Sequence, residues 1–274
     1  MSKFECWQTK EHATTYDARI YYPTVCLKKL YQDFNEFILL DKYLPKNESI
    51  KLLEVGCATG EIYRFLQHAY PEMEYIGCDI SKSAIESGRK KYPNVNFMIT
   101  DPELNEIKDV NPDYIFERDV VVHQTDPFAF LKQICLSAKK GVFFRLRTRD
   151  KGSTVLDVEK SCQMYHGLWA PYIMLNCDEV VSFLADLDIC SKIVILKNYA
   201  ILGGHHGRYL PKDCYLDETG TAESGVYIEI DQGSKRPEII IEKKDENERI
   251  PFLYKFLKRV IQHSFGPKSS RVWW

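Results

Sequence analysis

The chain has 274 residues and a net charge of −2, with 37 Lys and Arg nearly balancing 39 Asp and Glu. That length can bury a substantial core in one large domain with additions. The balanced charge excludes a single-sign field of the kind that gathers nucleic acid or an anionic membrane surface. The nine cysteines are scattered without a C-x-x-C pair, which argues against a disulfide framework or a zinc site and for a reducing compartment. The first residues lack the apolar core of a signal peptide, and no apolar run reaches the length of a membrane span. A cytoplasmic protein without a transmembrane segment is expected.

Residues 1–48 are aromatic and mixed in charge and are expected to form an N-terminal helical cap. Tyr31, Phe34, Phe37, Ile38 and Leu40 recur at helical spacing over 24–44, and Pro45 and Asn47 end the pattern. Leu52-Leu53-Glu54-Val55 then reads as a buried strand running into the glycine turn Gly56-Cys57-Ala58-Thr59-Gly60. A helix follows, with Ile62, Phe65, Leu66 and Ala69 on one face. Glycines here permit a tight turn and let backbone N–H groups approach a ligand. Strand, glycine turn and helix together make a nucleotide site at the carboxyl edge of a parallel sheet. The spacing is not G-x-G-x-x-G, so a ligand without a diphosphate fits better than a dinucleotide.

Two further strands end in acids: Glu74-Tyr75-Ile76-Gly77-Cys78-Asp79 and Val95-Asn96-Phe97-Met98-Ile99-Thr100-Asp101. An acid at Asp79 can accept both hydroxyls of a ribose. The fourth strand, Tyr114-Ile115-Phe116-Glu117, runs into Arg118-Asp119 and then to His123. Asp126 and Pro127 open a helix as N-cap and first residue, with Phe128, Leu131, Ile134 and Cys135 as its apolar stripe. Gly141–Arg147 is the fifth strand. Alternating strands and helices to this point imply a parallel sheet.

A polar and aromatic insertion over 148–177 follows, with Tyr165, His166, Trp169 and Tyr172. Asp178 is expected to cap the next helix. Lys192–Leu196 and Val226–Ile230 read as the sixth and seventh strands, joined by a long loop over 203–224 that holds His205, His206 and Arg208. In the extension 236–274, Pro237–Ile241 reads as an extra edge strand or an extension of the chain. Phe252, Leu253, Phe256, Leu257, Val260 and Ile261 lie on one face of an amphipathic helix. That helix packs on the body, or docks to a partner, to a second copy or to an anionic surface.

Glu54-x-Gly56-x-x-x-Gly60, followed by the acids at Asp79 and Asp101 in that order, resembles the class I S-adenosylmethionine-dependent methyltransferases over roughly residues 50 to 150. The resemblance implies an α/β fold: a seven-stranded, mostly parallel, doubly wound sheet with an antiparallel last hairpin, spanning 49–235 and flanked by the two terminal extensions. It implies S-adenosyl-L-methionine as cofactor. Glu54, Gly56, Cys57 and Gly60 would lie at the methionine part, Asp79 at the ribose, Ile80, Thr100 and Asp101 at the adenine, and Arg118 along the pocket. N-terminal helices often cover the cofactor in this family, which makes Tyr16 and Tyr21 candidate lid contacts beside the simpler reading of plain packing.

Methyl transfer is an in-line displacement for which the protein supplies alignment and deprotonation. An alcohol acceptor needs a base within hydrogen-bond reach. His123 is the leading candidate and His166 the second, each set against a structural role. Arg145, Arg147 and Arg149 alternate along one strand, so they hold an anion bidentately or are paired structurally. Arg147, Tyr165, Trp169 and His205 are the candidate acceptor contacts. The expected acceptor is a polar small molecule or a sugar or polysaccharide precursor, methylated at oxygen. A protein or nucleic-acid acceptor and a non-catalytic cofactor-binding scaffold are the alternatives. The fourth strand lacks the Asn/Asp-Pro-Pro-Tyr/Phe signature of amino-methylating nucleic-acid enzymes, and no aromatic-interleaved basic run suggests RNA stacking.

Overall fold

The structure, a computed structural model, describes residues 4–17, 31–200, 202, 208–215, 219–233 and 236–243. Five parallel strands form its centre: β1 (Ile50–Val55), β2 (Met73–Asp79), β3 (Asn96–Ile99), β4 (Tyr114–Glu117) and β5 (Gly141–Arg149). β6 (Cys162–Tyr165), β7 (Leu168–Pro171), β8 (Leu175–Asn176), β9 (Cys190–Tyr199), β10 (Arg208–Tyr209), β11 (Ala222–Ile230) and β12 (Glu238–Lys243) follow. Among the described residues the main sheet has nine strands in the order β12-β9-β11-β5-β4-β1-β2-β3, with β8 beside β5. β11 runs antiparallel to both β5 and β9, which is the expected late hairpin.

The helices are α1 (Lys10–Asp17), α2 (Asn35–Tyr43), α3 (Glu61–Ala69), α4 (Lys82–Lys91), α5 (Ile107–Val110), α6 (Pro127–Ser137) and α7 (Cys177–Ala185). Successive strand residues point to opposite faces, and both faces are covered. Val142, Phe144, Ile193 and Ile195 pack with Leu131 and Ile134 of α6 and Val180 and Leu184 of α7. Phe143, Val194 and Leu196 pack with Phe37 and Leu40 of α2 and Leu66 of α3. Burial on two faces is why these strands read as continuous apolar runs.

Four sequence expectations are corrected. The main sheet exceeds seven strands by two: β8 pairs in parallel with β5, and the edge-strand alternative for Pro237–Ile241 forms as β12, parallel to β9, with Ile240 packed inward and Ile239 and Ile241 exposed on its other side. The helix expected over 24–44 does not run unbroken: Phe34 is extended and caps α2, its ring held between the guanidiniums of Arg118 and Arg145. Asn176, not Asp178, caps α7, its Oδ1 accepting from the Glu179 N–H at 2.9 Å. The seventh strand begins at Ala222, inside the expected loop. Its Ala-Glu-Ser-Gly start has weak strand propensity and is ordered by pairing with both neighbours. A Cβ on Gly225 would fall 2.5 Å from the Asn35 carbonyl carbon, so glycine is what lets α2 lie across the sheet. Asn35 Nδ2 then donates to Leu196 O and Glu223 O, at 2.9 and 3.0 Å.

The insertion is built as a hairpin of β6 and β7, turning at His166 and Gly167 with φ of 49° and 78°. β10 joins it to make a second sheet of three strands. Among the described residues no helix is long and apolar enough to cross a membrane. The expected C-terminal amphipathic helix, Tyr21, His205 and His206 lie outside the described residues.

Candidate active site

The site grows from the turn after β1. Gly56 adopts φ +76°, and a Cβ there would sit 2.2 Å from Val120 Cγ2. Its N–H and that of Cys57 both donate to Cys78 O, at 2.8 and 3.0 Å. The Ala58 N–H donates to Asp79 Oδ2 at 2.8 Å, and the Ser81 N–H to Asp79 Oδ1 at 2.8 Å. The turn is thereby fastened to the end of β2. Burial pushes the Asp79 carboxyl up to about 6, against the backbone donors that lower it. Glu54 is buried behind the turn, where Tyr75 donates to its Oε2. Burial pushes Glu54 up to about 8, so it holds its proton at neutral pH.

The β4 end carries an ion-pair network. Arg118 Nε meets Glu36 Oε1 at 2.8 Å. Asp119 joins Arg145 at 3.0 Å and Arg147 at 2.9 Å, and Glu223 of β11 joins Arg145 at 2.8 Å. Burial opposes ionisation of both acids. The arginines nevertheless hold Asp119 well below the usual carboxylate range and bring Glu223 down to about 2. Arg149 pairs with Asp213. The arginine row is therefore largely structural, with one exception: Arg147 Nη1 is buried and has no hydrogen-bond partner.

The N-terminal segment lies across these strand ends. Trp7 sits 4.4 Å from the His123 ring and 4.6 Å from the Tyr165 ring, centroid to centroid. His12 Nδ1 and Tyr165 OH are 3.2 Å apart. α1 is tied to α4, where Ser87 Oγ donates to Asp17 Oδ1 at 2.7 Å and Lys91 pairs with the same carboxylate. His123 is buried, its Nδ1 lying 2.7 Å from Pro171 O. That carbonyl can only accept, so Nδ1 carries the hydrogen and the lone pair is on Nε2. Burial pushes the imidazole down to about 4, although the Pro171 carbonyl and Asp119 act to raise it.

These parts line a partly open cavity of ≈ 680 Å³, within the roughly 300–1,000 Å³ typical of small-ligand sites. Glu54, Gly56, Cys57, Asp79, Ile80, Thr100, Arg118, His123, Arg147 and Tyr165 all line it. Four described candidates do not. Gly60, at φ +81°, is packed under Phe97, whose Cζ would lie 2.7 Å from a Cβ, so this glycine serves the turn and not the lining. Asp101 is taken up by its own loop: its oxygens accept from the backbone and side-chain N–H of Asn105, at 3.0 and 2.7 Å. His166 stands at the hairpin turn behind Tyr165, with Nε2 3.3 Å from Thr15 Oγ1. Trp169 is 51% exposed and meets the Tyr209 ring on the far face of the hairpin. His205 lies outside the described residues. Trp7, His12 and Glu61, which belong to no motif in the sequence, also line the cavity. The signal for Trp7 and His12 is the aromatic density of the first 17 residues, and that for Glu61 is its place directly after the Gly56–Gly60 turn.

Residues 46–210 match the family described as "Methyltransferase domain". The N-terminal domain of EvdMO1, solved with SAH bound, is 14% identical and has the same fold at TM-score 0.52, over 72% of this chain and 82% of that one. Phosphoethanolamine N-methyltransferase 2 of Haemonchus contortus, solved with S-adenosyl-L-methionine, is 10% identical at TM-score 0.51, over 83% of this chain and 58% of that one. The chain belongs to the methyltransferase-domain family and is an S-adenosylmethionine-dependent methyltransferase.

Proposed function

We propose that the cavity holds S-adenosylmethionine along the β1 and β2 ends, and that the protein transfers its methyl to a hydroxyl of a small polar molecule, of sugar or hydroxy-acid character. Asp79 is an acceptor-only group at the cavity wall, suited to the two ribose hydroxyls. Glu54 and the Gly56 turn suit the amino-acid part, where an ammonium would draw the proton off Glu54. Ile80 and Thr100 suit the base edge, and Arg118, past the end of β4, lines the cavity on the Glu54 side of β1. The cofactor supplies an electrophilic methyl on sulfur.

The single observation that carries the oxygen reading is His123. It is a neutral imidazole with Nδ1 fixed on the Pro171 carbonyl, in the same cavity as Asp79. A neutral imidazole with its hydrogen pinned on one nitrogen offers the other as a proton acceptor to an attacking hydroxyl. Trp7, His12 and Tyr165 lie over the cavity, which favours a small acceptor over a protein or nucleic-acid chain. The test is transfer of a 13C-labelled methyl from the cofactor to a panel of sugars and hydroxy acids and their amine-bearing counterparts, read by NMR. O-methyl products support the reading. Methyl on nitrogen, or transfer only to macromolecules, overturns it.

A further inference from the structure

Tyr172 stands between two arginines, one at the end of β5 and one at the start of β10. The Arg147 guanidinium carbon lies 6.0 Å from its ring centroid and that of Arg208 4.5 Å. All three residues line the cavity. Arg147 Nε donates to Tyr172 OH at 2.9 Å, and its Nη2 meets Asp119 at 2.9 Å and Glu223 at 3.5 Å. Its Nη1 is the buried donor with no partner. A guanidinium N–H out of water and without an acceptor is costly, and an oxyanion in the cavity would satisfy it. Arg208 stacks on Tyr172, and no carboxylate among the described residues pairs with it.

Charge bookkeeping agrees. Glu36, Asp119 and Glu223 offset Arg118, Arg145 and Arg147. Arg208 then leaves this end of the cavity one positive charge in excess. A guanidinium fork is shaped for two oxygens of one anion.

We propose that Arg147 and Arg208 form an oxyanion subsite that holds a phosphate or carboxylate of the methyl acceptor. The proposal rests on the reading of the cavity given above, with the cofactor at the Asp79 end. The His123 ring is 6.4 Å from the Tyr172 ring, so the anion and the methylated hydroxyl lie a few bonds apart. The acceptor is then a hydroxy acid or a phosphorylated alcohol or sugar.

The test is calorimetric titration of the full chain with inorganic phosphate and, separately, acetate, each with and without S-adenosylhomocysteine. Wild type, Arg208→Gln and Arg208→Lys are compared. Saturable binding of at least one anion to wild type is expected. It should weaken at least about tenfold in Arg208→Gln, the loss of one charge-assisted contact, and recover in part in Arg208→Lys. The tighter of the two anions tells phosphoryl from carboxylate. S-adenosylhomocysteine affinity should be equal in all three proteins. Absence of saturable anion binding, or binding unchanged in Arg208→Gln, overturns the subsite. A parallel loss of S-adenosylhomocysteine affinity also overturns it, because the arginines would then serve the cofactor's own carboxylate. Failure of wild type to bind S-adenosylhomocysteine at all would refute the cofactor placement instead, while the cofactor-free titrations still decide the subsite.

Discussion

Asp79→Asn separates the proposed ribose contact from the structural duty of the same side chain. In the folded protein each Asp79 oxygen accepts a backbone N–H at 2.8 Å, from Ala58 and from Ser81. Asn keeps one acceptor and sets its amide against one of those N–H groups, leaving a donor unpaired at a cost of about 1–3 kcal/mol. Against that stands the burial of the carboxylate, raised from 3.8 to about 6. A raised carboxyl lowers folded-state stability as the pH climbs from 3.8 to 6, by roughly 3 kcal/mol at 1.36 kcal/mol for each pH unit. Asn removes that penalty, so the ligand-free variant should stay close to wild type in stability at pH 8 and fall below it near pH 4. Cofactor binding has no such offset. Loss of one charge-assisted hydrogen bond, about 1.5–3 kcal/mol, should weaken S-adenosylhomocysteine roughly 10- to 150-fold at pH 8. Binding to the ionised form also means that wild-type affinity falls as the pH drops through about 6. The variant should lack that component, and comparison with it cancels the titration of the ligand. Calorimetry across pH 5–8, beside chemical denaturation, reads both effects. A variant that binds within about twofold of wild type, with the same pH dependence, would refute the placement of Asp79 at the ribose.

His123→Gln should lower kcat roughly 10²- to 10⁴-fold while leaving S-adenosylhomocysteine affinity unchanged; an unaltered kcat removes His123 as the base. Because burial pushes His123 down to about 4, the wild-type kcat at saturating cofactor should show no acidic fall near the ordinary histidine value, and a limb at pH 6–7 that vanishes in the variant would contradict the buried, neutral imidazole. Gly56→Ala should cost about 2 kcal/mol or more, from its φ of +76° and a Cβ 2.2 Å from Val120; an unchanged denaturation midpoint would contradict this turn geometry. Glu117 is buried and pushed up from 4.5 to about 8 by that burial. Its ionised unfolded form is favoured over that interval, so wild type should lose stability relative to Glu117→Gln as the pH rises from 4.5 to 8, and parallel stability curves would show the carboxyl to be ionised in the fold. Trp7→Ala removes three aromatic contacts, to His12, His123 and Tyr165, worth about 0.5–1.5 kcal/mol each, and should raise the acceptor KM and the rate of proteolytic cleavage within residues 4–17; cleavage at the wild-type rate would mean that Trp7 does not hold the segment over the cavity.

The features legible in the sequence are those that a short window encodes. The buried strand into Gly56, the acid at the end of β2, the Asp126-Pro127 start of α6 and the alternating faces of β5 are local consequences of φ preference, capping and strand periodicity. Asp101 shows where a local signal misleads. The apolar run before it reads as a strand ending in an acid, yet β3 stops at Ile99 and Asn105, four residues on from Asp101, closes its own turn on it. Near-neighbour hydrogen bonds of that kind carry no hydrophobic period and are invisible to one. The remaining parts of the site are set by partners distant in the chain. Arg145 and Arg147 look like an anion-binding row until β11 brings Glu223 beside them and β4 brings Asp119. The same folding leaves one nitrogen of Arg147 unsatisfied and carries Arg208 up to Tyr172. Strand alternation in the hairpin puts Tyr165 into the cavity while the turn holds its neighbour His166 behind it. The roof joins Trp7 and His12 to a hairpin some 150 residues later. A sequence specifies locally which backbone each stretch prefers. Charge pairing, proton positions and enclosure depend on which stretches meet, and only the tertiary structure decides that.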